Sequence, residues 1–447
     1  MKDGRAEGRP PEVAERSKQG GDIRARWTWV ERSVWTERML TALETGVKGG
    51  KWFSLMDKVY APKNLEASWQ RVRQNQGAAG VDGQSVAKFG ERAPKYLEEL
   101  HQELQAGTYR PQEVLRVWIP KPGSAAMRPL GIPVVKDRVV QGALRNALEP
   151  IFERLFVEHS CGFRPGRGCM DALRRVDGLL KAGYTWVVDA DIRSYFDTID
   201  HEILMGEVEK EVADGRVLDL VRGYLKQGVM DGAKRWKPTA GTPQGAVISP
   251  LLANLYLHPV DLALIGAGHE GVRYADDLVI LCKTEREARE ALALLKAELG
   301  RRKLELHPEK TRIVDATEPG GFDFLGYHFE RRTRWPRRKS LNALKDRIRA
   351  RTKRTNGHSL LEIIKSINPV LRGWFQYFKH SHKTTFSDVD RWVRMRLRSI
   401  LRKRLGRKGR GQGNDHQRWP NAFFVEQGLF TMTAAFASIC RPRCGNH

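Results

Sequence analysis

Apolar residues nowhere run for the ~18 positions that a membrane-spanning helix needs, although they make up 40% of the 447 residues. That share supports a buried core and argues against a disordered chain. Residues 1–26 carry charge, Gly and Pro without an apolar stretch, so they do not read as a secretory signal. Cysteine is scarce: five residues, an odd number, scattered along the chain. No disulfide framework is legible in that pattern, and a reduced intracellular setting fits it best. Cys440 and Cys444 amount to half a zinc site and read as free thiols. No internal repeat of useful length is present.

Acidic residues are in deficit, 53 against 78 Lys and Arg, for a net charge of +25. The deficit is local. Residues 331–410 hold 26 Lys/Arg and 4 Asp/Glu, whereas the rest of the chain holds 52 and 49. This basic block is interleaved with Trp335, Trp374, Phe375, Tyr377, Phe378 and Trp392, a composition suited to holding a polyanion. Membrane attraction is the weaker reading, because no amphipathic anchor accompanies the charge.

Where acid does concentrate, it does so pointedly. Tyr274, Ala275, Asp276 and Asp277 join two apolar, β-prone runs within residues 271–282, the pattern of a tight hairpin with an acidic tip. Neighbouring carboxylates repel unless a cation lies between them, and a hard divalent ion such as Mg²⁺ prefers oxygen ligands. Upstream, residues 186–192 alternate so that Trp186, Val188, Ala190 and Ile192 share one face and Val187, Asp189 and Asp191 the other. Carboxylates inside a strand are costly unless paired or bound to metal. Asp191, Asp276 and Asp277 thus form a candidate set for two Mg²⁺ ions ~4 Å apart. One ion would activate a 3′-hydroxyl; the other would neutralise a triphosphate and its leaving pyrophosphate.

Other segments add positive groups around this set. Residues 114–119 alternate as a strand, and a second apolar run follows Arg128, so Lys121 and Arg128 flank one turn and could clamp a triphosphate. From Asp137, Val140, Leu144, Ala147, Leu148, Ile151 and Leu155 recur at helical spacing as a core stripe. Residues 162–168 form a glycine-rich loop with Arg164 and Arg167 suited to phosphate. Asp200 reads as a helix N-cap, residues 284–301 as a charged helix, and residues 322–329 as a strand pair. The basic block reads as three helices near 339–353, 359–381 and 386–405, with Asn368 and Pro369 as a break inside the second.

Taken in order, these motifs resemble a reverse transcriptase, and more narrowly a bacterial-type group II intron-encoded reverse transcriptase–maturase. The resemblance runs from about Trp69 to the C-terminal tail. It implies an α+β right-hand polymerase, with fingers and palm built on antiparallel sheet, an all-α thumb or maturase domain and a small helical DNA-binding tail. The expected divisions are a flexible N-terminus at 1–45, fingers and palm at 46–330, thumb at 331–405 and tail at 406–447. Asp191, Asp276 and Asp277 match the family's metal-binding acids, with the Ile192 backbone carbonyl as a further ligand. Phe196 matches its sugar-discriminating gate and Gln244 the glutamine that touches the incoming nucleotide. Lys121 and Arg128 match its triphosphate clamp, and Lys310 the lysine that protonates pyrophosphate.

Residues 371–378, with Arg372 and Trp374, look like the family's thumb signature. Arg391, Arg394 and Arg398 join Arg164 and Arg167 as expected nucleic-acid contacts. The implied partners are group II intron RNA, a DNA target or primer, and dNTPs, with a homodimer among the assemblies allowed and no membrane. The implied setting is the bacterial cytoplasm, at the nucleoid. The implied function is RNA-directed DNA synthesis together with assistance to intron splicing. A maturase without polymerase activity and a defence-type reverse transcriptase are the alternatives. The paired Cys/His pattern of the family's endonuclease domain is not found, so target-DNA cleavage is not expected.

Overall fold

The computed structural model describes residues 27–47, 49–120 and 127–440. Ahead of the fingers, residues 27–45 are not a loose leader. Trp27, Val30, Val34, Trp35, Leu40 and Leu43 are buried in the main core, the last two on helix α1 (Glu37–Thr45). The Trp35 indole also donates to the carbonyl of Asn146 at 2.9 Å. Burying several large rings here outweighs the charged residues between them. This corrects the expected flexible segment at 1–45 over its described part.

Strands β1 (Val114–Pro120) and β2 (Met127–Ile132) form an antiparallel pair in which Ile119 faces Arg128. Short strands β4 (Val229–Asp231) and β5 (Lys234–Trp236) extend this fingers sheet in the order β2-β1-β4-β5. Helix α2 (Val135–Glu153) carries the expected stripe, with Val140, Leu144, Ala147, Leu148 and Ile151 buried and Leu155 packed just beyond its end. Helix α3 (Cys169–Lys181) then leads into the palm.

The palm sheet runs β6-β7-β3-β8, built from β3 (Trp186–Asp191), β6 (Glu270–Tyr274), β7 (Asp277–Cys282) and β8 (Arg312–Asp315). Both faces are covered. Val188, Ala190 and Ile192 enter the main core, where α4 (Ser249–Gly266) and α5 (Glu285–Arg301) pack, whereas Val187 joins α3 and the aromatic residues Phe322, Phe324, Tyr327 and Phe329. A three-stranded sheet, β9 (Phe322–Phe324), β10 (Tyr327–Glu330) and β11 (Thr333–Pro336), closes the second layer.

Three helices follow, α6 (Arg338–Arg351), α7 (Leu360–Phe378) and α8 (Thr384–Arg404). The expected break at Asn368 and Pro369 does not occur, for α7 runs through Pro369. Asn368 instead reaches sideways, donating to the Gly428 carbonyl at 2.8 Å and accepting from the Phe430 amide at 2.9 Å. Residues after 405 share the thumb's core through Trp419, Phe424, Leu429 and Met432. Buried Asp390 of α8 accepts from the Met432 and Thr433 amides, each at 3.0 Å, at the start of α9 (Met432–Cys440). A carboxylate there satisfies helix-start amides that have no partner within the helix. The thumb is also wedged against the palm: Phe378 lies in the second core cluster, and Tyr327 donates to the Tyr377 carbonyl at 2.5 Å.

Candidate functional site

Register decides where the acids meet. β3 and β7 pair antiparallel with Asp191 directly opposite Asp277. β6 and β7 pair with Tyr274 opposite Asp277, which leaves Ala275 and Asp276 as a two-residue turn. Ala275 takes φ of +61°, a conformation that glycine would adopt more cheaply. The surrounding chain enforces it. Gly162 lies so close that a Cβ there would sit 2.2 Å from the Ala275 nitrogen. Beneath the turn, buried Arg273 donates to the Ala275 carbonyl and to the Asn254 side-chain oxygen, each at 2.9 Å, and pairs with Asp261 at 2.5 Å.

Electrostatics make this cluster hungry for positive charge. Burial, then the charges of Asp189, Asp276 and Asp191, push the Asp277 carboxyl up to about 7. Burial, with Asp191 adding to it, raises Asp276 as well. Lys310 already answers part of the demand: its ammonium stands 2.6 Å from Asp191, while Arg312 stands 3.3 Å from Asp189. Among the described residues no three Asp, Glu, His or Cys side chains enclose one point closely enough to form a finished metal cage. The set is an open one. Beside it, Ile192 pairs with Leu306 through bonds made by the flanking residues, Arg193 to Glu305 and His307 to Asp191. The Ile192 carbonyl is not used in either bond.

A path of main-chain bonds joins palm to fingers around these acids. Phe196, half-buried just beyond β3, accepts at its carbonyl from the Thr242 amide at 2.8 Å. Gln244, in the same loop, accepts at its carbonyl from the Gly131 amide at 2.7 Å. Gly245, with φ of +110°, lets the loop approach β2, since a Cβ there would meet the Gly131 oxygen at 2.6 Å. Arg128, exposed on β2, stands on the same hairpin. Register and ion pairing thus bring Asp191, Asp276, Asp277 and Lys310 together, and the main-chain bonds tie the segment of Phe196 and Gln244 to the hairpin that carries Arg128. Lys121 lies outside the described residues.

Two of the expected nucleic-acid contacts are corrected. Arg164 is buried, pairs with Glu153 at 2.6 Å and donates to the carbonyls of Val157 and Ser160. Its guanidinium is spent on the fold and faces no solvent. Arg398 is likewise buried, bonding the Trp419 carbonyl at 2.9 Å and Asn421 at 2.8 Å over the Phe424 ring. Arg391 and Arg372 are exposed, and Arg167 and Arg394 are half-buried. Trp374 bridges the palm-side and thumb cores, so its ring is a packing element first.

Sequence reasoning also missed features. The lock formed by Arg273, Asn254 and Asp261 left one signal, a lone acid in the apolar helix α4, which needs a buried partner. On the fingers sheet, Arg116 lies 4.8 Å from the Trp236 ring and 6.0 Å from the Trp118 ring, and both indoles are exposed. Their separation in sequence hid this cationic aromatic surface.

Comparison with known proteins agrees with this architecture. Residues 119–329 match the family model for reverse transcriptase (RNA-dependent DNA polymerase), and residues 341–419 match the group II intron maturase-specific domain. The group II intron-encoded protein LtrA of Lactococcus lactis subsp. cremoris is 39% identical over 202 residues, 45% of this chain and 33% of that protein. Protein YkfC of Escherichia coli K12 is 35% identical, covering 57% of this chain and 76% of that one. Nuclear intron maturase 1 of Arabidopsis thaliana mitochondria is 38% identical over 94 residues, 21% of this chain and 13% of its own. The match to LtrA thus spans about a third of that relative's length. With a reverse-transcriptase unit followed by a maturase-specific unit, the chain belongs to the group II intron-encoded reverse transcriptase–maturase family.

Proposed function

We propose that the protein is an RNA-directed DNA polymerase that also binds its intron RNA and assists splicing. The observation that carries the reading is the direct pairing of Asp191 with Asp277 beside Asp276, on a strained turn locked from beneath. A polymerase unit reaching from the packed tryptophans near residue 27 to about 330 would be followed by a thumb from 331, and the residues after 405, which share the thumb's core, would serve as its DNA-binding tail.

The donor set fits Mg²⁺: three carboxylates and a spare backbone carbonyl are hard oxygen ligands, and a lysine already occupies the edge of the cluster as a cation. Asp191, Asp276, Asp277 and the Ile192 carbonyl would hold the metal, which when bound lowers the pKa of the primer 3′-hydroxyl and neutralises the triphosphate. The protein's share is placement. Arg128, with Lys121, draws in the triphosphate of a dNTP; Gln244 meets the nucleotide; Lys310 hands a proton to departing pyrophosphate. Arg116 with Trp118 and Trp236 offers stacking for an unpaired template, since rings and arginine both bind base faces.

Phe196 serves as the sugar gate, its backbone fixed by Thr242 and its ring 5.4 Å from that of Tyr195. Phe196→Val therefore raises ribonucleotide use relative to deoxynucleotide use by roughly 10- to 100-fold, the range that side-chain-sized pocket changes command. The ratio of kcat/KM for dNTP and rNTP measures it, and an unchanged ratio removes Phe196 from the gate. The reading as a whole is tested by supplying purified protein with a DNA primer on an RNA template, dNTPs and Mg²⁺. Extension is expected. A folded protein that binds the primer–template and does not extend it refutes the polymerase assignment.

A further inference from the structure

Away from the palm, the end of α6 and the middle of α8 enclose a cavity of about 200 Å³, lined in part by Arg349, Arg354, Trp392, Arg396 and Arg410. We propose that this cavity binds a single unpaired nucleotide extruded from a folded nucleic acid, its phosphate held by Arg354 and Arg410 and its base against Trp392. The inference rests on the reading of the basic block as a nucleic-acid surface and assigns one recognition site within it.

The cavity is a built feature. Arg396 is fastened to Thr352, its Nε donating to the hydroxyl at 2.7 Å and its Nη2 to the carbonyl at 2.8 Å. Arg354 donates to the Gly409 carbonyl at 2.8 Å, which brings the 406–413 linker, and Arg410 with it, onto the rim. Arg396 and Arg349 lie 5.5 and 5.7 Å from the centre of the Trp392 ring, and Lys345 lies 6.0 Å away. Asp346 pairs with Arg349 at 2.6 Å, but among the described residues no carboxylate pairs with Arg354, Arg396 or Arg410.

Gathering like charges round a hollow is unfavourable unless an anion shares it. Burial and the nearby charges of Arg349 and Arg354 lower the pKa of Arg396, which expresses the same unanswered positive field. The size limits the guest. A hollow of this volume takes part of one nucleotide, whereas a duplex needs a long open track. Arginine forks suit phosphate, and an indole suits a base freed from its stack.

The test uses the full chain and four probes: an RNA stem-loop with one bulged nucleotide, its fully paired counterpart, and the same pair in DNA. Binding is measured by anisotropy at one fixed salt concentration. Wild-type protein should prefer a bulged probe by roughly 5- to 100-fold, the range of one stacked base. Preference confined to the RNA pair assigns the guest to RNA, and preference confined to the DNA pair assigns it to DNA. Arg354→Gln/Arg410→Gln, at exposed positions, and independently Trp392→Leu should bring the preference to about one. Arg347→Gln, which removes one exposed charge from α6 outside the cavity, should weaken both probes alike and leave the preference intact. Equal binding of bulged and paired probes by wild type, or preference that survives in both cavity variants, overturns the site alone. A wild-type protein that binds none of the probes overturns the broader reading of the block as well.

Discussion

Asp277→Ala protein extends a DNA primer on RNA at least about 10³-fold more slowly than wild type, because several kcal/mol of charge stabilisation would depend on the acids proposed to hold the metal. Its affinity for primer–template stays within a few-fold. The two effects separate because the excess positive charge lies in residues 331–410, and Asp277 lies in the palm. The fold should tolerate the change: burial and three acidic neighbours oppose the Asp277 charge, so truncation relieves repulsion. Single-turnover extension and equilibrium binding on the same protein measure both quantities. Near-normal extension with Mg²⁺ would remove Asp277 from the site.

Arg273→Met lowers the unfolding free energy by about 3–5 kcal/mol, the cost of breaking a buried ion pair from one side. Arg273 and Asp261 are both buried, and the guanidinium also serves Asn254 and the Ala275 carbonyl. Its removal leaves the buried Asp261 side chain without its partner. Arg273→Met/Asp261→Leu should recover much of that stability, since an apolar pair can replace a buried ion pair at small cost. It should not recover polymerase activity, because the Ala275 carbonyl has lost its tether and the acidic turn is no longer held. Denaturant unfolding with a double-mutant cycle, alongside primer extension, separates these effects. A loss below about 1 kcal/mol for the single variant would show that the lock is dispensable.

Much of this was legible in the chain because its signals are local. The alternation at 186–192 gave a strand with Asp191 on the acid face, and β3 has that face. The acidic stretch 274–277 between apolar runs folded as a hairpin, with Ala275 and Asp276 as its turn. Charge asymmetry and helical spacing located the three thumb helices within a few residues. What stayed hidden depends on partners distant in sequence. Arg164 and Arg398 read as phosphate ligands because nothing local reveals Glu153, Trp419 or Asn421 waiting for them. Pro369 read as a break, yet α7 passes through it while burying Ile363, Ile364, Ile367, Leu371 and Phe375. Tertiary packing outweighs the local penalty of proline there. Residues 27–45 read as part of a flexible terminus, and only the assembled core shows what their tryptophans bury. β8 and β11 are four residues each, too short to announce themselves.

The central claim is that polymerase chemistry and RNA handling occupy different surfaces of one chain. The most direct test takes Asp276→Ala/Asp277→Ala protein and, separately, protein with Arg372→Gln and Arg391→Gln, both at exposed positions. Each is given the parent intron RNA at low Mg²⁺, and spliced-exon yield is measured beside primer extension. Splicing chemistry of such an intron belongs to the RNA, and a protein assists by favouring the folded form through differential affinity. The acid-free variant should make no cDNA and still promote splicing; the arginine variant should lose splicing assistance, with a shallower salt dependence of RNA binding than wild type and a weaker grip on template. If the folded, RNA-binding acid-free variant loses both activities together, the two functions share one site and the account is contradicted.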